Sequence, residues 1–482
     1  MSRLLPRLLG PLFWLLIAWL GPAELSLAAR HTLGMAAWMV TWWMTEAAPL
    51  AATSLLPIAL FPILGVASTR EAAAPYANDL VFLFMGGFFL AAALEYWRCH
   101  TRIAYGMVLR IGLSSRRVVL GVMLATAFIS MWISNTATTA MMYPIALAIG
   151  AMFGAGQAAD RTRTALMLGV AYAASIGGMG TLIGTPPNLV TAAAIEQFTG
   201  RSIGFGEFML LGLPMVAVLL PACWILLVFV VFRANLTLDL SATALIREQR
   251  AALWPLRGGE RRVLVIFVST ALAWLLRDRK DLGDTVIPGL VDLVPGLSDA
   301  SIAIICAVLL FVIPARSPEG EFRTLLTWAE ARRIPWDVLL LFGGGLSLAG
   351  ALEGTGVTTW LGERLAGLQG APTMVIYLGV ALTVLLLSEL ASNLAVAAMT
   401  MPIMVSLGQV TGEPVILLML VAGFAASTGF ALPIATPPNA IVFGSGQVSV
   451  RDMAKGGGLL DLVSVVVVTT VMLLLGRVVL GL

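Results

Sequence analysis

Residues 79–95, DLVFLFMGGFFLAAALE, recur as 337–353, DVLLLFGGGLSLAGALE, so the chain states one plan twice at a shift of 258 positions. The same shift carries Ser134-Asn135-Thr136-Ala137 onto Ser392-Asn393-Leu394-Ala395, and Pro144 onto Pro402. A third pair follows, Gly-Thr-Pro-Pro-Asn at 184–188 and Ala-Thr-Pro-Pro-Asn at 435–439, spaced seven residues more tightly in the second half. Doubled helix breakers bearing polar side chains, set in apolar sequence, mark a binding site formed between two membrane-embedded repeats.

The surrounding sequence sets the solvent. Hydrophobic residues make up 59% of the chain and charged residues 11%, and mean hydropathy is +0.95. Many apolar runs approach or exceed the roughly 18 residues that cross a bilayer. Two histidines, two lysines (Lys280, Lys455) and three scattered cysteines (Cys99, Cys223, Cys306) leave little for metal chemistry. Zinc and disulfide frameworks are excluded by the absence of Cys-x-x-Cys and His-Glu-x-x-His spacings. The net charge of +3 comes from loop arginines, and nothing resembles a nucleic-acid patch. Arg3 and Arg7 before an apolar run, with Ser26-Leu27-Ala28-Ala29 beyond, have the outline of a secretory signal. The run from Pro11 to Ala29 is long for a signal core, and another apolar segment follows at once, so the first span is read as retained.

Apolar runs predict spans at 9–29, 33–49, 51–66 and 78–97. A stretch at 118–153 is split by Ser-Asn-Thr, 164–195 is interrupted at 184–188, and 207–233 closes the first half. A polar linker occupies 234–261. The second half predicts 262–276, 300–314, 336–353, the split stretch 373–408, 414–446 interrupted at 435–439, and 457–481. Segment 98–117 falls by the shift on 356–375, which is too polar to span, so both are read as amphipathic arms on the membrane surface. With each split stretch a re-entrant hairpin, each repeat has an odd number of crossings, and the repeats are inverted. The fold class is an all-α polytopic membrane protein with about eleven spans, two inverted repeats, and a hairpin and a broken helix in each. An inside N-terminus places twenty-one of the 29 basic residues in the cytoplasm and the C-terminus outside. Charge does not separate a re-entrant hairpin from two short full crossings. The predicted division is 1–117 (first span, scaffold and arm), 118–233 (first transport half), 234–261 (linker), 262–372 (scaffold and arm) and 373–482 (second transport half).

Within 130–144, SMWISNTATTAMMYP, polar residues cluster where lipid-facing sequence would be apolar. Non-helical backbone at that depth survives only when buried in protein or lining a wet cavity. A hairpin tip there offers amides to an anion, and carbonyls and an Asn oxygen to Na⁺; helix–helix contact is the plainer reading. At Thr185-Pro186-Pro187-Asn188 and Thr436-Pro437-Pro438-Asn439, paired prolines remove two donors and free upstream carbonyls, for which a cation is a good partner. No Lys or Arg lies in either hairpin or broken span, so a bound dianion needs amides, helix N-termini and co-bound cations. Glu389, four residues before Asn393, is placed to orient the second tip or carry a proton, whereas Glu46 is read as a buried, hydrogen-bonded structural carboxylate. Trp42 and Trp43 read as packing or interface anchors.

Taken together, WWMTEAAPL with SLLP at 42–57, SNTATTAMMYP at 134–144, GTLIGTPPN at 180–188, and SELASN with ATPPN resemble the divalent anion/sodium symporters, which include bacterial dicarboxylate and mammalian citrate and sulfate cotransporters. The resemblance implies a homodimer in the bacterial inner membrane, with a rigid scaffold and an elevator-like transport domain. It implies sodium sites at Ser130, Ser134, Asn135 and Gly184, and at Ser388, Asn393 and Ala435. It implies substrate contacts at Ser134, Asn135, Thr136, Ser392, Asn393, Thr436 and Pro437. Leu394 departs from the family's second Ser-Asn-Thr and removes a substrate-facing hydroxyl.

The expected activity is Na⁺-driven uptake of a small dianion, a C4-dicarboxylate such as succinate, without an organic cofactor. A sodium-independent dicarboxylate exchanger and a sodium/sulfate symporter stay open as alternatives. An intramembrane enzyme would want a nucleophile with a base, and His31 and His100 are expected just outside the spans, away from the motifs. No Gly-x-x-x-x-Gly-Lys-Ser/Thr occurs for a nucleotide-driven pump. Inverted repeats suit alternating access better than a channel's continuous pore.

Overall fold

Apolar helices carry the whole architecture. The computed structural model describes residues 4–482 apart from 113, 237–246, 249–250, 252–255, 257, 283–284 and 318–319, so most of the 234–261 linker lies outside the described residues. The chain runs through α1 (Leu4–Leu20) and α2 (Leu27–Thr45), then the short helices Leu50–Thr53, Leu56–Leu60 and Thr69–Ala73. There follow α3 (Asp79–Tyr96), α4 (Cys99–Ile111), α5 (Ser115–Ser130), α6 (Asn135–Ala151), α7 (Gln157–Gly178), α8 (Pro186–Thr199) and α9 (Phe205–Ile225). The second half has α10 (Gly258–Leu275), α11 (Asp299–Val312), α12 (Trp336–Gly354), α13 (Val357–Arg364), α14 (Thr373–Leu390), α15 (Asn393–Thr411), α16 (Val415–Ala426), α17 (Pro437–Phe443) and α18 (Val450–Val471). Strand is confined, among the described residues, to two antiparallel hairpins, in which Lys280 faces Ile287 and Pro314 faces Thr324.

The repeat is written into the backbone. Helices α4 to α7 start at 99, 115, 135 and 157, and α13 to α16 start at 357, 373, 393 and 415, each 258 residues later. α7 is 22 residues long and α16 only 12, which accounts for the tighter spacing of the second Thr-Pro-Pro-Asn. These two helices form the centre of the molecule: every residue from Thr164 to Gly178 and from Ile416 to Ala426 is buried. Burial on all sides means that these helices meet protein rather than lipid.

Glycines explain why the MGG/GGG core of the repeat recurs. A Cβ at Gly86 of α3 would lie 2.7 Å from the Ala303 carbonyl carbon on α11, and one at Gly344 of α12 would lie 2.3 Å from Ser54 O. The two positions are related by the 258 shift, and each lets a neighbouring backbone come into direct contact.

Three expected spans change shape. α1 ends at Leu20, ahead of Gly21-Pro22, and α2 begins after Ser26, whose side chain accepts from Ala29 N at 3.2 Å. The predicted 9–29 and 33–49 are therefore a hairpin of 4–20 and 27–45, because apolarity alone read through a turn. The predicted 51–66 is two short helices: Pro57 and Pro62 interrupt it, and Thr53 and Ser54 return their hydroxyls to the carbonyls of Pro49 and Leu50. Among the described residues, six helices are long and apolar enough to cross a membrane, including both arms of the second hairpin, α14 and α15. At 1.5 Å per residue their 18 and 19 residues reach about 27 Å, close to the hydrocarbon thickness. The arms at 98–117 and 356–375 contain α4 and α13. α4 buries Cys99, Ala104 and Val108, and Arg102 bridges to the buried Glu260 of α10 at 2.5 Å.

Gly344→Val forces atoms into the Ser54 backbone, an overpacking that costs about 1–3 kcal/mol or more. Thermal unfolding in detergent should show a clearly lowered transition for this variant, whereas Gly354→Val, whose Cβ direction is open, should leave it near wild type.

Candidate functional site

The first hairpin turns at 131–134, and Ser134 caps α6 by accepting from Ala137 N at 3.4 Å. Behind the tip, Ser130 Oγ lies 2.8 Å from Asn135 Oδ1 and 2.7 Å from Ala174 O. One hydroxyl has one proton and cannot serve both acceptors. The end of the Asn135 amide facing Ser130 is also 3.0 Å from Ala174 O and 3.3 Å from Gly184 O. With oxygen at that end, four oxygens converge; with nitrogen there, its two N–H groups face three acceptors. The opposite end of the amide bonds Thr185 Oγ1 at 3.3 Å.

The second hairpin repeats the arrangement. Ser388 Oγ lies 2.6 Å from Asn393 Oδ1 and 2.6 Å from Ala426 O. Each broken helix is closed by its own asparagine. Asn188 Nδ2 donates to Gly178 O (2.9 Å) and Thr181 O (2.7 Å), and Asn439 Nδ2 donates to Gly429 O (3.3 Å) and Leu432 O (3.0 Å). These two asparagines satisfy carbonyls at the end of the preceding helix and in the loop before their own, a role that sequence reasoning missed although both stand in the repeated motif. Packing is reciprocal: α17 of the second half lies against α6 of the first hairpin, and α8 of the first half lies against α15 of the second. The site is therefore built by both halves at once.

The loop between α16 and α17 has a device its partner lacks. Glu389 accepts from Ala431 N (2.8 Å) and Leu432 N (2.9 Å), and Asp461 of α18 accepts from Phe430 N (3.0 Å). Two buried carboxylates thus hold three consecutive amides, with no basic side chain bridged to either among the described residues. Expected to orient the second tip or carry a proton, Glu389 is seen tying the end of α14 to the loop before α17; Asp461 carries no motif signal and was not foreseen. A Cβ at Gly429 would meet Ala435 Cβ at 3.2 Å and Glu389 Oε1 and Ser388 O at 3.4 Å, so these residues converge.

The other expected residues divide. Thr136 is exposed at the first tip, Leu394 is 8% exposed and buried in the second, and Ser392 makes no side-chain cap. Thr436 caps α17 by accepting from Asn439 N at 3.3 Å, and Pro437 is exposed beside it. Glu46 is not the buried, bonded carboxylate expected: it is an exposed helix end in the left-handed region at φ 49°. His31 lies inside α2, stacked on Trp14 at 5.8 Å, and His100 shares an apolar cleft with Trp132 and Ile133, closer to the first tip than expected. Trp43 is buried, as a packing anchor requires.

Two cavities lie at opposite ends of the α3/α12 pair. One, of about 390 Å³, is lined by Phe88 to Tyr96 at the end of α3, by 330–335 just before α12, and by Ile133, Ser134 and Ala137 of the first hairpin. The other, of about 670 Å³, is lined by 72–78 just before α3, by 346–355 at the end of α12, and by Glu196 and Gln197 of α8. The helix pair is antiparallel, and the 258 shift maps one cavity wall onto the other. The first cavity reaches a hairpin tip; the second is lined by the end of α8 instead.

Gly184 and Ala435 are equivalent positions with unequal tolerance. A Cβ on Gly184 would lie 2.4 Å from Gly178 O, whereas Ala435 already carries a Cβ in a buried position. Gly184→Ala should lower the melting temperature in detergent by several degrees, and Ala435→Gly should change it far less. Asp461→Ala should loosen the second loop and lower the melting temperature by several degrees, with Asp461→Asn recovering most of the loss.

Comparison with known proteins gives the arrangement its context. The profile of the family described as "Sodium:sulfate symporter transmembrane region" matches residues 2–482. The sodium-dependent dicarboxylate transporter SdcS of Staphylococcus aureus is 39% identical over 488 residues, which cover 100% of this chain and 92% of the relative. Among solved structures, the YdaH transporter of Alcanivorax borkumensis aligns with TM-score 0.55 at 16% identity, over 93% of this chain and 98% of that one. MtrF of Neisseria gonorrhoeae aligns with TM-score 0.58 at 13% identity, over 86% of this chain and 83% of that one. These last two are likenesses of fold alone. The full-length profile match and the full-length relative make the chain a member of the divalent anion/sodium symporter family.

Proposed function

We propose that this protein is a secondary transporter of the bacterial inner membrane that couples Na⁺ entry to uptake of a small divalent anion, a C4-dicarboxylate such as succinate. The duplicated oxygen cluster carries this reading: Ser130–Asn135–Ala174 with Gly184, and Ser388–Asn393–Ala426. Oxygens that face one another across 2.6–3.3 Å repel unless a proton or cation lies among them. The first sodium site comprises Ser130, Ser134, Asn135 and Gly184, and the second Ser388, Asn393 and Ala435. In the first, the Asn135 amide presents nitrogen to the empty cluster and oxygen to the ion. The dianion lies between the tips, held by Ser134, Asn135, Thr136, Ser392, Asn393, Thr436 and Pro437, where the bound cations supply the positive charge that no Lys or Arg provides. The name of the 39% identical relative supports both ion and substrate class, and its relatives' activity makes the protein a transporter rather than an enzyme.

The mechanism proposed is an elevator. Residues 118–233 and 373–482 move as one body, because α6 packs on α17 and α15 on α8 across the halves. Residues 1–117 and 262–372 form the scaffold and a homodimer contact, linked to the moving body by α4 and α13. The repeats are inverted, with about eleven spans, the N-terminus inside and the C-terminus outside. The antiparallel placement of α3 and α12 supports inversion. Equivalent cavities at both ends of that pair, with Ser134 reached through the end bearing Arg333, support a state open to the cytoplasm.

Proteoliposomes with an inward Na⁺ gradient should accumulate radiolabelled succinate, and a matched K⁺ gradient should give none. Asn135→Ala and Asn393→Ala should each reduce that uptake at least about 100-fold while leaving a folded protein. Uptake that ignores Na⁺ and needs internal substrate would make the protein an exchanger, and preferential competition by sulfate would reassign the anion.

A further inference from the structure

We infer that Arg333 is a steering residue for the dianion, a way-station on the cytoplasmic path between Ser134 and water; this rests on the dicarboxylate reading. Arg333 lines the cavity of about 390 Å³ whose inner wall is Ser134, is exposed, and makes no ion pair among the described residues.

Neither acid on the same wall is paired with it. Glu330 is ionised but already neutralised. Burial opposes its charge, yet the bond to Arg323 and those to the Thr327 amide and hydroxyl hold its carboxyl below the ordinary range. The Arg323 guanidinium in turn lies 3.8 Å over the Tyr96 ring, fixed away from the lumen. Glu95 is exposed and unbridged to Arg333.

The pseudo-symmetry isolates the charge. The 258 shift sets Glu95 opposite Glu353, so an acid at that place is common to both halves, whereas Arg333 falls opposite Pro75. The positive charge is therefore particular to the cavity that reaches a hairpin tip. A low-dielectric cleft focuses the field of one unpaired charge along its length. A dianion leaving the tip, where its co-bound cations depart separately, meets a compensating charge before bulk water. The tip itself carries no Lys or Arg, so this is the first fixed cation on that route.

The test uses succinate uptake at saturating Na⁺ in inverted membrane vesicles, which present the cytoplasmic face, and in right-side-out vesicles. Arg333→Gln should raise the half-saturating succinate concentration about five- to tenfold in inverted vesicles and leave it unchanged in right-side-out ones. Arg333→Lys should restore it, Glu95→Gln should shift it the opposite way, and added salt should shrink both effects. An unchanged cytoplasmic half-saturation in a transporting Arg333→Gln, or an equal loss in Arg333→Lys, overturns the inference alone. Absence of Na⁺-driven succinate uptake by the wild type overturns it together with the functional reading.

Discussion

Everything at the centre of this molecule depends on how a broken backbone is satisfied away from water. Each break leaves carbonyls of a helix end and its loop that hydrocarbon cannot solvate, while the proline pair opens the next helix at positions whose amides have no partner within it. Asn188 and Asn439 take up two of these carbonyls each through their Nδ2 groups. Around Ser130 and Ser388 the supply of donors is thinner: each hydroxyl has one proton for two facing oxygens, and in the first half the Asn135 amide decides whether nitrogen or oxygen meets them.

The two halves share this logic without being copies. In the first, the loop after α7 lies tight against glycine backbone, and Asn135 reaches Thr185. In the second, a longer loop is held by Glu389 and Asp461, and Thr436 turns to cap its own helix. Two buried carboxyl groups stand beside one cluster and none beside the other, so the two halves offer different surroundings to similar side chains. The cavities differ in the same spirit, their walls related by the repeat and their depth and charge not.

Much of this was legible in the residues. Repeated motifs at a fixed shift gave the halves, the hairpins and the broken helices, because Ser-Asn and Thr-Pro-Pro-Asn break helices for reasons that act within a few residues. Glu389 was visible as a carboxylate out of place. Asp461 was not, since it stands far away in sequence, in a helix whose start looks ordinary, and is joined to Phe430 only by folding. The early turns were misread for a related cause. Gly21-Pro22 and Pro57 act through local geometry, which a tally of apolar residues does not weigh. Glu46 looked buried because its neighbours are apolar, yet it lies at a helix end where its side chain points out.

The reciprocal packing of α8 on α15 and α17 on α6 also has a meaning for how the protein is made. α8 ends at Thr199, and the helix that covers it begins at Asn393. At 5–20 residues per second the ribosome needs roughly 10–40 s to deliver that partner. Throughout this time the first half sits in the bilayer with a buried surface still open, and its polar tip has no counterpart. Assembly is thus ordered by synthesis. The first repeat waits as an incomplete template, and the second arrives as both its mirror and its lid, so neither half has a finished interior to fold around alone.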